Sequence, residues 1–178
     1  MAARHLPTAG EGGGLMEKTN AMRLLDSRKI PYITHTFSPD IHSALEVAQV
    51  LGVPAPQVYK TLVVIAEPAG KPKGKPLLVI IPGDRELDLK LLAQEVGEKK
   101  LRMATHDEAE GLTGLQVGGI SALALLNRGF AIYLDKSALD WEQIIVSAGR
   151  RGVNLQLGVQ GLVRVTKAKV IEATRSGL

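Results

Sequence analysis

The chain contains no cysteine. That absence removes a disulfide framework, a thiolate nucleophile and any cysteine-bound zinc or iron–sulfur centre, and it leaves the redox compartment open. Aromatic residues are scarce as well: two Phe, three Tyr and one Trp make up 3% of 178 residues. Proteins that read single-stranded RNA stack several bases on exposed rings, so that class loses weight, and the interior has to be built from Leu, Val, Ile and Ala. No run approaches the roughly 20 apolar residues of a membrane span, and the amino terminus lacks a signal-peptide core. The expectation is a cytoplasmic protein with no membrane partner. A P-loop, a GxGxxG following a strand, a GxSxG elbow and HExxH are all missing, which sets aside the reactions those motifs serve. The four histidines, His5, His35, His42 and His106, lack metal-ligand spacing, so neither metal nor cofactor is expected. His106 beside Asp107 and Glu108 reads as acidic residues placed at a helix start, where the macrodipole favours them.

What is present suits one packed domain. Apolar residues form 45% of the chain, and two independent cores would each be close to the size at which burial barely offsets chain entropy. Residues 1–15 carry Gly10, Gly12, Gly13 and Gly14 with little apolar content and are expected to be a disordered extension. The net charge of +4 is a mild electrostatic lean toward polyanions.

Periodicity and capping residues then sketch the elements. Thr19 caps a helix carrying Met22, Leu24 and Leu25, which Pro31 shows to have ended by Ile30. A short strand runs from Tyr32 to Phe37. Ser43 and Glu46 have capping-box spacing ahead of a helix closed by Gly52 and Pro54. Thr61 to Ala66 and Leu77 to Ile81 read as buried strands across a loop rich in Pro, Gly and Lys. Asp88 caps a helix ending at Gly97, and Thr105 with Glu108 opens another that is expected to stop before Gly111. Strands at Ala131 to Leu134, Ile144 to Val146 and Val153 to Leu157 follow, the last two joined tightly through Ser147 to Gly152. The carboxyl end holds one or two short elements that pattern does not type. The fold class expected is α/β (α+β): a mixed β-sheet flanked by helices.

Three segments exceed what propensity explains. In Val58-Tyr59-Lys60-Thr61-Leu62 a lysine stands at the entrance of an apolar strand, which is either a solvated edge position or a functional one. In Val117-Gly118-Gly119-Ile120-Ser121 paired glycines sit among apolar residues. They mark a tight turn or a cradle of backbone N–H groups for an oxyanion or phosphate. Ser147-Ala148-Gly149-Arg150-Arg151-Gly152 sets small residues beside two guanidinium groups, as an exposed hairpin or as a phosphate contact.

Taken in order, these segments resemble the YbaK family of freestanding aminoacyl-tRNA deacylases, relatives of the editing domain of bacterial prolyl-tRNA synthetases. The resemblance runs from Thr19 onward. It rests on Thr19-Asn20-Ala21-Met22, Ile30-Pro31-Tyr32, His35-Thr36-Phe37, Leu87-Asp88-Leu89-Lys90 and the three segments above. It implies one deacylase domain over residues 16–178, hydrolysing the ester between a wrong amino acid, Cys on tRNA(Pro) foremost, and the 3′-terminal adenosine of tRNA. Lys60 matches the family's essential lysine, and Gly118, Gly119 and Ser121 fall on its glycine-rich loop. These four are the implied catalytic residues. Phe37, Ile120, Ser147, Gly149, Arg150 and Arg151 are the implied substrate-binding set. Phe37 stands where YbaK has tyrosine, Ala122 where the family often has proline and Arg150 where lysine is common, and the first two put amino-acid specificity in question. The implied partners are the acceptor end of aminoacyl-tRNA and a prolyl-tRNA synthetase, with no DNA.

An aminoacyl ester is already activated, so positioning and oxyanion stabilisation suffice without a dedicated nucleophile. For tRNA contact the candidates are Lys71, Lys73 and Lys75, then Lys99, Lys100 and Arg102, then Arg150 and Arg151, each group being otherwise ordinary solubilising charge. A noncatalytic aminoacyl-tRNA-binding module or synthetase partner, or a small-molecule esterase using the same pocket, are the alternatives that residues alone leave open.

Overall fold

A computed structural model describes residues 17–41, 43–67 and 75–175 of the chain. The extension expected over residues 1–15, with His42, Lys71 and Lys73, lies outside them. Helix α1 (Asn20–Ser27) starts where Thr19 Oγ1 accepts the Met22 amide, and it buries Ala21, Met22 and Leu25. Strand β1 (Tyr32–Thr36) follows, then α2 (Ala44–Leu51), β2 (Tyr59–Ala66), β3 (Leu77–Pro82) and α3 (Leu89–Val96). After a short β4 (Leu101–Met103) come α4 (His106–Thr113), β5 (Ala131–Asp135), β6 (Gln143–Arg150) and β7 (Val153–Gly158). The carboxyl end, untyped by pattern, is helix α5 (Val159–Thr166) and strand β8 (Lys169–Ile171).

The mixed sheet is five-stranded in the order β4-β2-β3-β5-β8. Its β4–β2 and β2–β3 pairs are antiparallel, and its β3–β5 and β5–β8 pairs are parallel. A second, antiparallel sheet has the order β1-β7-β6, and a parallel bridge between Val58 and Ile145 joins the two. All six residues of β3 are buried, as a central strand covered on both faces must be, which is why its sequence is unbroken apolar rather than alternating. The two-residue strand period then divides its side chains. Leu78 and Ile80 pack into the main core with Ile144, Val146, Leu155 and Leu157 of the antiparallel sheet, whereas Leu77, Val79 and Ile81 pack against Leu92 and Ala93 of α3.

Three local expectations change. Strand β6 does not stop at Val146; it continues to Arg150, with a register shift between Ser147 and Arg150, so the turn is shorter than the expected Ser147 to Gly152. Ser43 stands at the N-cap of α2, yet its side chain makes no capping hydrogen bond. Helix α4 does not stop before Gly111; it continues to Thr113 and closes at Gly114 in the left-handed region. An interior glycine costs roughly 1 kcal/mol relative to alanine. Here the reciprocal Thr105–Glu108 capping box and the burial of Ala109 and Thr113 offset that cost.

Candidate active site

The start of α2, the first residues of β2, Gly83, the loop from Val117 to Ile120, and Ser147 with Asn154 enclose a cavity of about 330 Å³. That is the lower end of ligand-site volumes, suited to a small group rather than a long chain. Lys60 enters it because strand side chains alternate: Tyr59 turns into the core, its hydroxyl 2.9 Å from Ser137 Oγ, so its neighbour turns the other way. Burial pushes the Tyr59 phenol up to about 12, with the Ser137 hydroxyl opposing, so the group stays protonated at neutral pH. Lys60 Nζ donates to the Gly83 carbonyl at 3.4 Å, its one hydrogen bond among the described residues. Among the described residues no carboxylate lines the cavity, and Lys60 is the one cation that does.

The glycine pair divides its work. Gly118 lines the cavity with φ +91°, a conformation other residues adopt at a cost, and no hydrogen bond within the described residues takes its amide or that of Ile120. Gly119 is different. Its amide donates to the Gln116 carbonyl at 2.8 Å and is spent on the turn, which corrects its expected part as an oxyanion donor. A Cβ there would lie 2.9 Å from the Arg151 nitrogen and 3.0 Å from the Arg150 carbonyl carbon, so only glycine lets the loop press onto the β6–β7 turn.

Of the ten residues expected at the site, Lys60, Gly118, Ile120 and Ser147 line the cavity together. Gly119, Ser121, Gly149 and Arg151 brace it from behind. Ser121 is buried and its hydroxyl accepts the Ala124 amide at 3.4 Å, so it is not presented to a substrate. A Cβ on Gly149 would meet Ala124 Cβ at 3.3 Å, and Ser147 Oγ accepts the Gly149 amide at 3.2 Å. Arg151 Nε donates to the Val117 carbonyl at 2.7 Å, pinning the loop. Arg150 is exposed and free of ion pairs. Phe37 does not reach the cavity: it packs with Val47, Val58 and Ile145 beneath α2, its amide donating to the Gly152 carbonyl at 2.9 Å.

Asn154, Thr61, Gly83 and the first turn of α2 complete the lining and were not expected. Asn154 is the most informative. It is 6% exposed, its side chain makes no hydrogen bond among the described residues, and its side-chain polar atoms are not sealed from the cavity. Because those atoms stay open to solvent, a ligand's polar groups can take the place of water at them. The signal was a polar residue between Val153 and Leu155 on a strand where all three are buried. No three His, Cys, Asp or Glu side chains cluster to hold a metal among the described residues.

The basic groups separate too. Arg102 is held by Glu67, Nε to Oε1 at 2.6 Å, and by Glu108 at 2.7 and 2.9 Å, while Lys100 lies 4.0 Å from Glu67. The Arg102 guanidinium and the Thr105 amide hold the Glu108 carboxyl down at about 2. Two of the three charges in that cluster are therefore engaged by carboxylates rather than offered to RNA. Lys75 and Lys99 remain exposed.

The aminoacyl-tRNA editing domain matches residues 38–165. An Enterococcus faecalis protein named as a Cys-tRNA(Pro)/Cys-tRNA(Cys) deacylase, EbsC, is 38% identical over 160 residues, covering 89% of this chain and 94% of its own. The solved structure of a hypothetical protein superposes with a TM-score of 0.78 at 26% identity, covering 88% of this chain and 99% of that one. Another, of a trans-editing enzyme for prolyl tRNA synthetase, gives 0.73 at 24% identity over 90% and 100%, a likeness of fold. No helix among the described residues is long and apolar enough to cross a membrane. Every residue lining the cavity falls inside the matched span, and the chain belongs to the aminoacyl-tRNA editing domain family.

Proposed function

We propose that this chain is a cytoplasmic trans-editing hydrolase that cleaves the ester joining a wrongly attached small amino acid, cysteine foremost, to the 3′ end of tRNA(Pro). The observation that carries the reading is the cavity's inventory: one lysine with no carboxylate among the described lining residues, two loop amides at Gly118 and Ile120 that make no hydrogen bond among the described residues, and the Asn154 side-chain amide open to the cavity. An uncompensated cation in a half-enclosed cavity favours negative charge, either a phosphodiester of the acceptor end or the oxyanion that develops on the ester carbonyl. Lys60 supplies that charge as a point rather than a fork. The Gly118 and Ile120 amides are donors for the carbonyl oxygen, and Asn154 offers both a donor and an acceptor to the aminoacyl group.

Ser43, Thr61 and Ser147 place hydroxyls on the lining, but among the described residues no His, Asp or Glu lines it to take a proton from them. Nucleophilic catalysis through a serine needs such a base within reach. Attack therefore falls to water, which the neighbouring ribose hydroxyl can orient, or to the substrate's own thiol, which displaces the ribose oxygen as a thiolactone that water then opens. With water, a C–O bond forms at the carbonyl, the bond to the ribose oxygen breaks, and the proton lost by water ends on that oxygen, giving amino acid and free tRNA. The partner that fits is the acceptor end of tRNA, together with a prolyl-tRNA synthetase that releases the mischarged product; the name of the Enterococcus relative supports the tRNA and the amino acid. Deacylation measured over Cys, Ala, Ser, Thr and Pro esters on several tRNAs tests the reading. Cys-tRNA(Pro) is expected to be cleaved fastest, and tRNA binding without release of any amino acid would overturn it.

A further inference from the structure

Gly83 follows β3 directly, and three walls of the cavity meet on this one residue. Its amide donates to the Val58 carbonyl at 2.7 Å, its carbonyl accepts Lys60 Nζ at 3.4 Å, and its Cα faces Ala44 at the start of α2. A Cβ at this position would lie 2.4 Å from Ala44 Cβ and 3.0 Å from the Val58 carbonyl oxygen. Its φ is outside the left-handed region, so glycine is required here for space and not for backbone conformation. Val58 is also the residue whose bridge to Ile145 joins the two sheets. The residue that tethers the lysine is thus bonded through its amide to the joint of the fold and covered at its Cα by α2.

We propose that Gly83 is a positioning residue for the reaction, holding the Lys60 ammonium toward the cavity through its carbonyl while its missing side chain lets α2 close over the site. The inference rests on the reading that Lys60 carries the reaction. A lysine ammonium is a compact charge on a flexible four-carbon stem, so its direction depends on what its other N–H groups hold. Here that is one carbonyl, with no carboxylate on the cavity wall to substitute for it. A side chain at 83 has two outlets. It displaces the first turn of α2, which carries Ser43, Ala44 and Leu45 of the lining, or it turns the peptide and swings the carbonyl away from Nζ. Either outcome moves the charge or the wall against which the substrate is held.

The contact with Ala44 makes the inference separable from loss of fold, because the atom in the way can be deleted. Deacylation of Cys-tRNA(Pro) under single-turnover conditions, with thermal melting alongside, is compared for Gly83→Ala, the double variant Gly83→Ala/Ala44→Gly, Lys60→Ala, and Lys60→Ala/Gly83→Ala. Gly83→Ala is expected to lose about 10²-fold in rate, since a displacement on the order of 1 Å has that effect on a positioned group. The double variant is expected to recover most of that loss. Gly83→Ala is expected to divide its effect between rate and half-saturating tRNA in the same proportion as Lys60→Ala, and to add little once Lys60 is gone. Full activity in Gly83→Ala, a folded double variant as slow as the single one, or an equal further loss in the Lys60→Ala background would each overturn the positioning role. If Gly83→Ala does not fold, the double variant decides: folded and active supports the role, folded and inactive overturns it. Full activity in Lys60→Ala would sink the underlying reading, whereas an inactive Lys60→Ala beside an active Gly83→Ala would sink this inference alone.

Discussion

Asn154 and Ser147 face one another across the β6–β7 pairing, and both open on the same cavity. Ser147 has a use within the protein, accepting the Gly149 amide. Asn154 has none among the described residues. One member of the pair shapes the turn behind the site, and the other is left for whatever enters.

That asymmetry separates stability from activity. Asn154→Leu replaces a side-chain amide that makes no hydrogen bond among the described residues with apolar atoms. Urea unfolding is expected to show equal or greater stability while deacylation falls at least about tenfold, the effect of roughly 1.4 kcal/mol on a barrier. A variant that is both less stable and fully active would mean that the amide serves the fold.

Gly119→Ala drives a methyl group against the backbone of Arg150 and Arg151, which cannot swing aside as a side chain would. Overpacking of this kind costs about 1–3 kcal/mol. The expected result is a lower urea midpoint together with slower deacylation, because the Gly118 and Ile120 amides ride on the same loop. Unchanged unfolding would show that the loop is not pressed where the contacts place it.

The two arginine sites are expected to part company in tRNA binding. Arg150 is exposed and unpaired, so Arg150→Ala is expected to weaken binding and flatten the slope of log affinity against log salt by about one unit. Arg102 is tied to Glu67 and Glu108, so Arg102→Ala is expected to leave tRNA affinity unchanged. Filter binding at several salt concentrations checks both, and the reverse ranking would relocate the tRNA path to the β4 side.

Acid titration has a defined direction at Glu108. Its carboxyl is held at about 2 in the folded chain, below the ordinary Glu value of about 4.3. A depressed carboxyl contributes stability that is fully present above the ordinary value and is lost as pH falls through the folded one. Melting temperatures of the parent chain are expected to drop between about pH 4 and about pH 2 more steeply than those of Glu108→Gln. Parallel curves would show that the Arg102 and Thr105 contacts do not persist in solution.

Much of this was readable from residue order, and the parts that were not have physical reasons. Thr19, Asp88 and Thr105 cap their helices with the side chains that spacing assigned to them, because capping is settled within four residues. Ser43 has the same spacing but makes no capping bond; its first turn lies against Gly83, forty residues along the chain. Arg102 was read as a free charge because sequence cannot show Ile65 paired with it across β2 and β4, which brings Glu67 within reach. Lys60, Gly118, Ile120 and Ser147 are singled out by motif order, and the fold brings their segments to one cavity, which sequence separation alone does not show. Gly119 belonged to the right loop with the wrong role: that its amide turns inward to Gln116 is a property of the turn and not of the residue type. Asp135 left no trace in the pattern. It is a buried carboxylate whose oxygens accept the Ala173 and Thr174 amides, the Thr174 hydroxyl and the Ser137 amide, and so fastens the chain's last described residues to β5.

The account stands on the lysine at the entrance of β2. Single-turnover deacylation of Cys-tRNA(Pro) by Lys60→Ala, with its melting temperature measured alongside, is the direct test. The predicted result is a fall of about 10² to 10³ in rate, the effect of losing one oxyanion-stabilising group, with the melting temperature held. A Lys60→Ala protein that releases cysteine as fast as the parent chain would contradict it.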